Sequence, residues 1–143
     1  MTICGVPVGR KLGEENSGAP ELGGSIIMVL ATDAPLSQNQ LRRVAARATH
    51  GLARTGSFSA DNSGDIVLAF STTRRIPAAP EQSVVTLLEL GTPHINDFFA
   101  AAADIVEESI LNAMFMAETV VGRDGNRLRA LPLDPVRALL NRS

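Results

Sequence analysis

Ser25 stands directly after Gly23-Gly24 and directly before the apolar run "IIMVLA". A serine hydroxyl is a weak nucleophile unless a base lies within hydrogen-bond reach, and no histidine is near Ser25 in sequence. Hydrolysis of the Gly24-Ser25 peptide would supply one. It would expose an α-amine whose ordinary pKa of about 7.7–8.0 lets it accept a proton near neutral pH. The two glycines suit that chemistry, because a backbone without Cβ can adopt strained geometry and expose its carbonyl to attack. They also suit a plain turn ahead of a strand. On these residues alone both readings stand.

A second cluster, "DNSGDI" at 61–66, holds Ser63 and Asp65. Asp, Asn, Ser and Gly gather in turns for ordinary backbone reasons, so the cluster by itself reads as a loop. His50 follows late in a helical pattern and His94 follows Pro93; both read as surface or capping residues rather than bases. The single Cys4 excludes an internal disulfide, and no CxxC or HExxH spacing suggests zinc. No metal and no cofactor is expected.

These residues need a scaffold. "SIIMVLA" reads as a strand covered on both faces. Ser37 with Gln40 is a candidate capping box, followed by Leu41, Val44, Ala45, Ala48 and Leu52 at helical spacing, with Gly56 to end the helix. Arg42, Arg43, Arg47 and Arg54 fall largely outside the apolar stripe, as a binding surface or, more commonly, a solvated face. No aromatic residue interleaves them, so stacking on bases has no support. "DIVLAFS" is a second strand, and "SVVTLLEL", between the proline-rich "IPAAPEQ" and Gly91-Thr92-Pro93, a third. Phe99, Ala103, Val106, Ile110, Ala113, Ala117 and Val120 then mark a long helix, expected to be largely buried and closed by Gly122 and "RDG". Asp134 before Pro135 is expected to cap a short helix through Leu140. The order implies an α+β fold, a sheet with packed helices.

Composition agrees with one folded domain: 143 residues, 45% hydrophobic and 20% charged. A net charge of −2 gives no general attraction to nucleic acid or to an anionic membrane. The first residues of this sequence lack the charged-then-apolar order of a secretory signal and no apolar run reaches bilayer length, so a cytoplasmic setting is the expectation. Residues 1–24, with Gly5, Gly9, Gly13, Gly18, Gly23 and Gly24 and two prolines, read as a glycine-rich linker contributing little core, ahead of a domain at 25–143.

Four separated motifs, "GGSIIMVLATDAPLS", "RATHGLARTGS", "NSGDIVLAFST" and "EESILNAMFMAETVVGRDGN", together resemble the carboxy-terminal part of the P1-family aminopeptidases, the L-aminopeptidase/D-esterase or β-aminopeptidase family. The resemblance runs from about Gly5 to the end. It implies part of an αββα sandwich similar to the Ntn hydrolases, and a precursor that cuts itself immediately before its nucleophilic serine. Ser25 matches that serine, which makes Gly24-Ser25 the self-cleavage bond. Ser63 and Asp65 match a serine and a carboxylate that support the nucleophile; some members carry glutamate where Asp65 stands, with a longer reach. The carboxylate can orient the hydroxyl and stabilise the protonated α-amine.

By the same resemblance, residues 1–24 match the end of the family's α subunit, and the rest of that amino-terminal part, a partner of this chain, would supply the substrate pocket and oxyanion donors. The substrate would be a short peptide, amide or ester losing its N-terminal residue through an acyl-enzyme, and the assembly a homo-oligomer of cleaved heterodimers. Such a chain alone would be inactive. Two alternatives remain at this point: a truncated, non-catalytic paralogue serving as an assembly partner, and an amine acyltransferase of the related ornithine acetyltransferase fold, whose members use threonine at the Ser25 position.

Overall fold

The structure, a computed structural model, describes residues 1–13, 24–73, 75, 78, 84 and 86–141. Strand β1 (Ile27–Thr32) runs parallel to β2 (Ile66–Ser71), with Ile27 paired to Ile66 and Thr32 to Ser71. Parallel strands need a crossover. It is helix α2 (Gln38–Arg54), started by the expected box: Gln40 N–H donates to Ser37 Oγ, and Ser37 N–H donates to Gln40 Oε1 at 3.0 Å. The helix stops at Thr55, and Gly56 takes the left-handed turn beyond it, with φ +98°.

Alternation along the strands decides which face is core. Met28 and Leu30 point inward and pack with Leu36, Val44, Ala48 and Leu52 around α2, and with Ile95, Ala102 and Val106 of helix α3 (Ile95–Met116). Burying each of the larger of these side chains stabilises the fold by about 1.5–3 kcal/mol. Gly51 lets α2 and α3 approach closely: a Cβ there would lie 2.3 Å from Ala103 O and 2.8 Å from Val106 Cβ. Around this contact, Arg43 and Arg47 lie over the Phe99 ring at 5.2 and 4.2 Å, and Arg54 pairs with Asp104 and Glu107. Three of the four arginines read as a solvated face therefore tie α2 to α3.

The opposite face of the sheet is open among the described residues. Ile27, Val29, Ile66, Leu68 and Phe70 are each roughly half or more exposed, from 47 to 66%. The expectation that β1 is covered on both faces is corrected accordingly.

Other expectations are also corrected. Residues 86–90 form no strand; instead Leu90 N–H donates to Pro35 O and Leu90 O accepts from Gln40 Nε2, fastening this segment to the start of α2. Residues 83 and 85 of "SVVTLLEL" lie outside the described residues. Helix α3 ends at Met116, and Ala117 is already extended. The β-branched run Thr119-Val120-Val121 favours a strand over another helical turn, so Val120–Val121 (β3) pairs antiparallel with Arg127–Leu128 (β4) around the 123–125 turn. The long helix is not largely buried: Ile105 is exposed on its flank and Met116 at its end. Helix α4 (Leu133–Leu140) begins after Pro132, which leaves Asp134 inside the first turn, beside Arg137, and not at the cap.

The amino-terminal residues do more than link. Cys4 and Gly5, both with positive φ, close a tight turn between Ile3 and Val6, and Val8–Gly13 forms a short helix, α1. Ile3, Val6 and Val8 then pack with Val136 of α4 in a second small core. Thr2 N–H donates to Thr55 O at 2.8 Å, which braces the end of α2. Residues 14–23 lie outside the described residues.

Candidate active site

The register of the sheet continues past the strands. β1 and β2 pair at a separation of 39 residues, and the same separation joins Ile26 to Asp65, Ser25 to Gly64 and Gly24 to Ser63. Each pair holds a hydrogen bond. Ile26 N–H donates to Asp65 Oδ1 at 3.2 Å, Gly64 N–H donates to Ser25 Oγ at 2.9 Å, and Ser63 Oγ–H lies 2.9 Å from Gly24 O. All four residues assigned from the resemblance therefore meet at one mouth of the sheet. Sequence separation hides this; the parallel crossover creates it.

Local structure explains how "DNSGD" reaches that place. Ser63 N–H donates to Ala60 O at 2.8 Å, closing a turn with Asp61 and Asn62 at its centre, where such residues are favoured. The chain then straightens into β2. On the facing chain Gly24 has φ +147°, outside the range that L side chains readily adopt, so a residue without Cβ suits it.

Asp65 is the electrostatic centre. Its Oδ1 accepts from Ser63 Oγ at 2.6 Å and from Ile26 N–H, and its Oδ2 accepts from Ser59 Oγ at 2.9 Å. These bonds favour the charged form: Ser63 first, then Ser59, hold the carboxyl below the usual carboxylate range, against a smaller opposing effect of desolvation, and the Ile26 amide adds to them. The shorter aspartate therefore reaches its hydroxyl. Ser63 has a single proton and two acceptors within reach, Asp65 Oδ1 and Gly24 O, so it donates to one at a time. Ser25, Ser63 and Asp65 line an open cleft of about 320 Å³ together with Gly24, Phe58 and Ser59.

Two members of the site were not singled out by sequence. The Gly64 amide is a backbone group, visible only through register, and Ser59 is one more serine in a turn-rich stretch. His50 and His94 are exposed and do not line the cleft. Among the described residues no group of three His, Cys, Asp or Glu side chains could hold a metal ion, and no helix is long and apolar enough to cross a membrane.

A family model described as Peptidase family S58 matches residues 1–128. The chain belongs to peptidase family S58. Family relatives include the beta-peptidyl aminopeptidases BapA of Sphingosinicella microcystinivorans, 33% identical over 99% of this chain, and of Sphingosinicella xenopeptidilytica, 28% identical over 98%. The chain spans 39 and 38% of those relatives' lengths. Among solved structures, the L-aminopeptidase D-Ala-esterase/amidase of Ochrobactrum anthropi, described as a variant of the Ntn hydrolase fold, superposes with a TM-score of 0.87 at 37% identity, covering 99% of this chain and 39% of that one. A Pyrococcus horikoshii OT3 protein gives 0.87 at 45% identity, with 99% and 38% coverage. A Burkholderia sp. beta-aminopeptidase gives 0.83 at 38%, with 96% and 39%. The S58 chain is thus an α+β protein of the Ntn-hydrolase type, and the resemblance of its four motifs holds.

Proposed function

We propose that this chain is the nucleophile-bearing part of a self-processing serine aminopeptidase, and that Ser25 performs both the self-cleavage and the peptidase reaction. The observation that carries the reading is the contact of Ser63 Oγ with Gly24 O, the carbonyl oxygen of the bond to be cut. In the first reaction Ser25 Oγ attacks the Gly24 carbonyl carbon. Negative charge gathers on Gly24 O, where the Ser63 hydroxyl donates to it. The C–N bond then breaks, the Ser25 nitrogen takes the hydroxyl proton, and an ester joins Gly24 to Ser25 Oγ. Water hydrolyses that ester, leaving a Gly24 carboxylate and a free Ser25 α-amine.

In later turnovers that amine takes the Oγ proton as Ser25 attacks the carbonyl of a substrate's N-terminal residue. The leaving amine departs with the proton, and water releases the acyl group. With Gly24 O gone, Ser63 is left to donate to Asp65, and the carboxylate's charge favours the ammonium. The substrate class proposed is a peptide, amide or ester with a free N-terminal residue, in line with the names of the relatives. The part of the relatives that lies outside the matched region is proposed to cover the open sheet face and complete the pocket. The same reading carries a cytoplasmic setting and a homo-oligomer of cleaved halves.

The test is intact-mass analysis of the chain expressed together with the amino-terminal part that the resemblance implies. Wild type should yield a fragment beginning at Ser25, and Ser25→Ala one uncut chain. A fragment beginning at residue 25 in Ser25→Ala would remove Ser25 from the role.

A further inference from the structure

Ser59 holds the one oxygen of Asp65 that Ser63 and Ile26 leave open. Its Oγ donates to Asp65 Oδ2 at 2.9 Å, whereas Ser63 Oγ and Ile26 N–H both address Oδ1. The terminal torsion of an aspartate is soft and roughly two-fold, so bonds to Oδ1 alone would leave the carboxylate plane free to rock about that contact. A donor on Oδ2 fixes the plane.

The backbone at Ser59 supports the same conclusion. Ser59 sits in the left-handed region, φ +50°, which L residues other than Asn and Asp seldom occupy. The path into it is anchored. Gly56 turns with φ +98° against the Met1 backbone, whose Cα and N lie 3.2 Å from where a Gly56 Cβ would stand, and Ser59 N–H donates to Ser57 Oγ at 3.3 Å. A turn needing only the backbone conformation would be served best by glycine. A serine there places a hydroxyl on the carboxylate.

We infer that Ser59 is a positioning residue of the site, acting through Asp65: it orients the carboxylate so that Oδ1 stays on Ser63, beside Gly24 and Ser25. The inference rests on the reading of Ser25, Ser63 and Asp65 given above. The charged groups around the loop are few. Asp61 is in the turn and exposed, the Met1 amino group is at the Gly56 turn, and Arg54 is engaged with Asp104 and Glu107; no ion pair among the described residues includes Asp65.

Carbon-detected NMR titration of the Asp65 carboxyl in the 143-residue chain tests the contact, with wild type, Ser59→Gly, Ser59→Ala and Ser59→Asn compared. Ser59→Gly keeps the backbone freedom and loses the hydroxyl, so the Asp65 midpoint should move upward, and Ser59→Ala should move it the same way. Ser59→Asn tolerates the left-handed backbone and offers an N–H donor, so it should bring the midpoint back toward wild type. An unchanged midpoint in Ser59→Gly overturns the inference. So does an acid limb of self-cleavage, measured with the amino-terminal part present, that fails to follow the NMR midpoint upward. Failure of the underlying reading looks different. Self-cleavage persisting in Ser25→Ala would discard the nucleophile and leave the Asp65 titration as it is.

Discussion

Ser63 Oγ lies 2.9 Å from Gly24 O and 2.6 Å from Asp65 Oδ1, so one hydroxyl proton is shared between the bond proposed to break and the carboxylate that supports the site. Replacing Ser63 by Ala removes the donor to Gly24 O. Self-cleavage, followed by intact mass with the amino-terminal part present, should slow by about 10²-fold, the scale on which removing one oxyanion donor acts. Cleavage at the wild-type rate would separate Ser63 from the reaction.

Asp65 should impose an acid limit. Its folded-state carboxyl is held below the ordinary value by Ser63, then Ser59, and by the Ile26 amide. A depressed carboxylate contributes stability that is present above its unfolded pKa and is lost as pH falls through the folded one. In Asp65→Asn this dependence should disappear, so urea midpoints of the variant and wild type should converge as pH drops into the acid range. Turnover in the complete protein should fall as well, because the charge favouring the protonated amine is gone. Parallel pH profiles in the two proteins would contradict this assignment.

Gly51→Ala should destabilise the fold although alanine is the better helix former. The added Cβ would meet Ala103 O at 2.3 Å, a backbone atom of α3 that cannot swing aside. Separating the two helices should cost about 1–3 kcal/mol, well above the gain of roughly 0.5–1 kcal/mol in propensity. A lower urea midpoint at unchanged m-value is the expected reading.

The open sheet face should make the chain sticky when alone. Val29 and Leu68 are register partners, 58 and 55% exposed, within an apolar row that continues through Ile27, Ile66 and Phe70. The purified chain should bind an apolar dye or self-associate, and it should show no peptidase turnover. Val29→Lys with Leu68→Glu places opposite charges side by side on that face and should reduce dye binding without loss of helix signal. A monodisperse wild-type monomer that binds no dye would show that the face needs no cover.

Local patterns determined much of this protein by sequence alone. The Ser37–Gln40 box, the helical stripe to Leu52, the strands after Gly24 and Gly64, and the stripe of α3 from Phe99 to Ala113 are written in periods and caps that depend on residues a few positions apart. The four motifs also carried the family and, through the resemblance, the choice of Ser25, Ser63 and Asp65 as candidates. Longer-range matters were decided by the fold. "SVVTLLEL" has the composition of a strand, yet residues 86–90 join no sheet and Leu90 bonds Pro35 and Gln40 instead, because composition gives a propensity and the tertiary contacts decide which bonds the backbone makes. Residues 1–13 look like linker until Val136 arrives to cover Ile3, Val6 and Val8. The site itself belongs to this second kind. The Gly64 amide acquires meaning only when a parallel register of 39 residues brings the two strand mouths together, since a hydrogen bond acts over about 3 Å of space whatever the distance along the chain, and Ser59, six residues before Asp65, reaches the carboxylate only through the left-handed backbone of its loop.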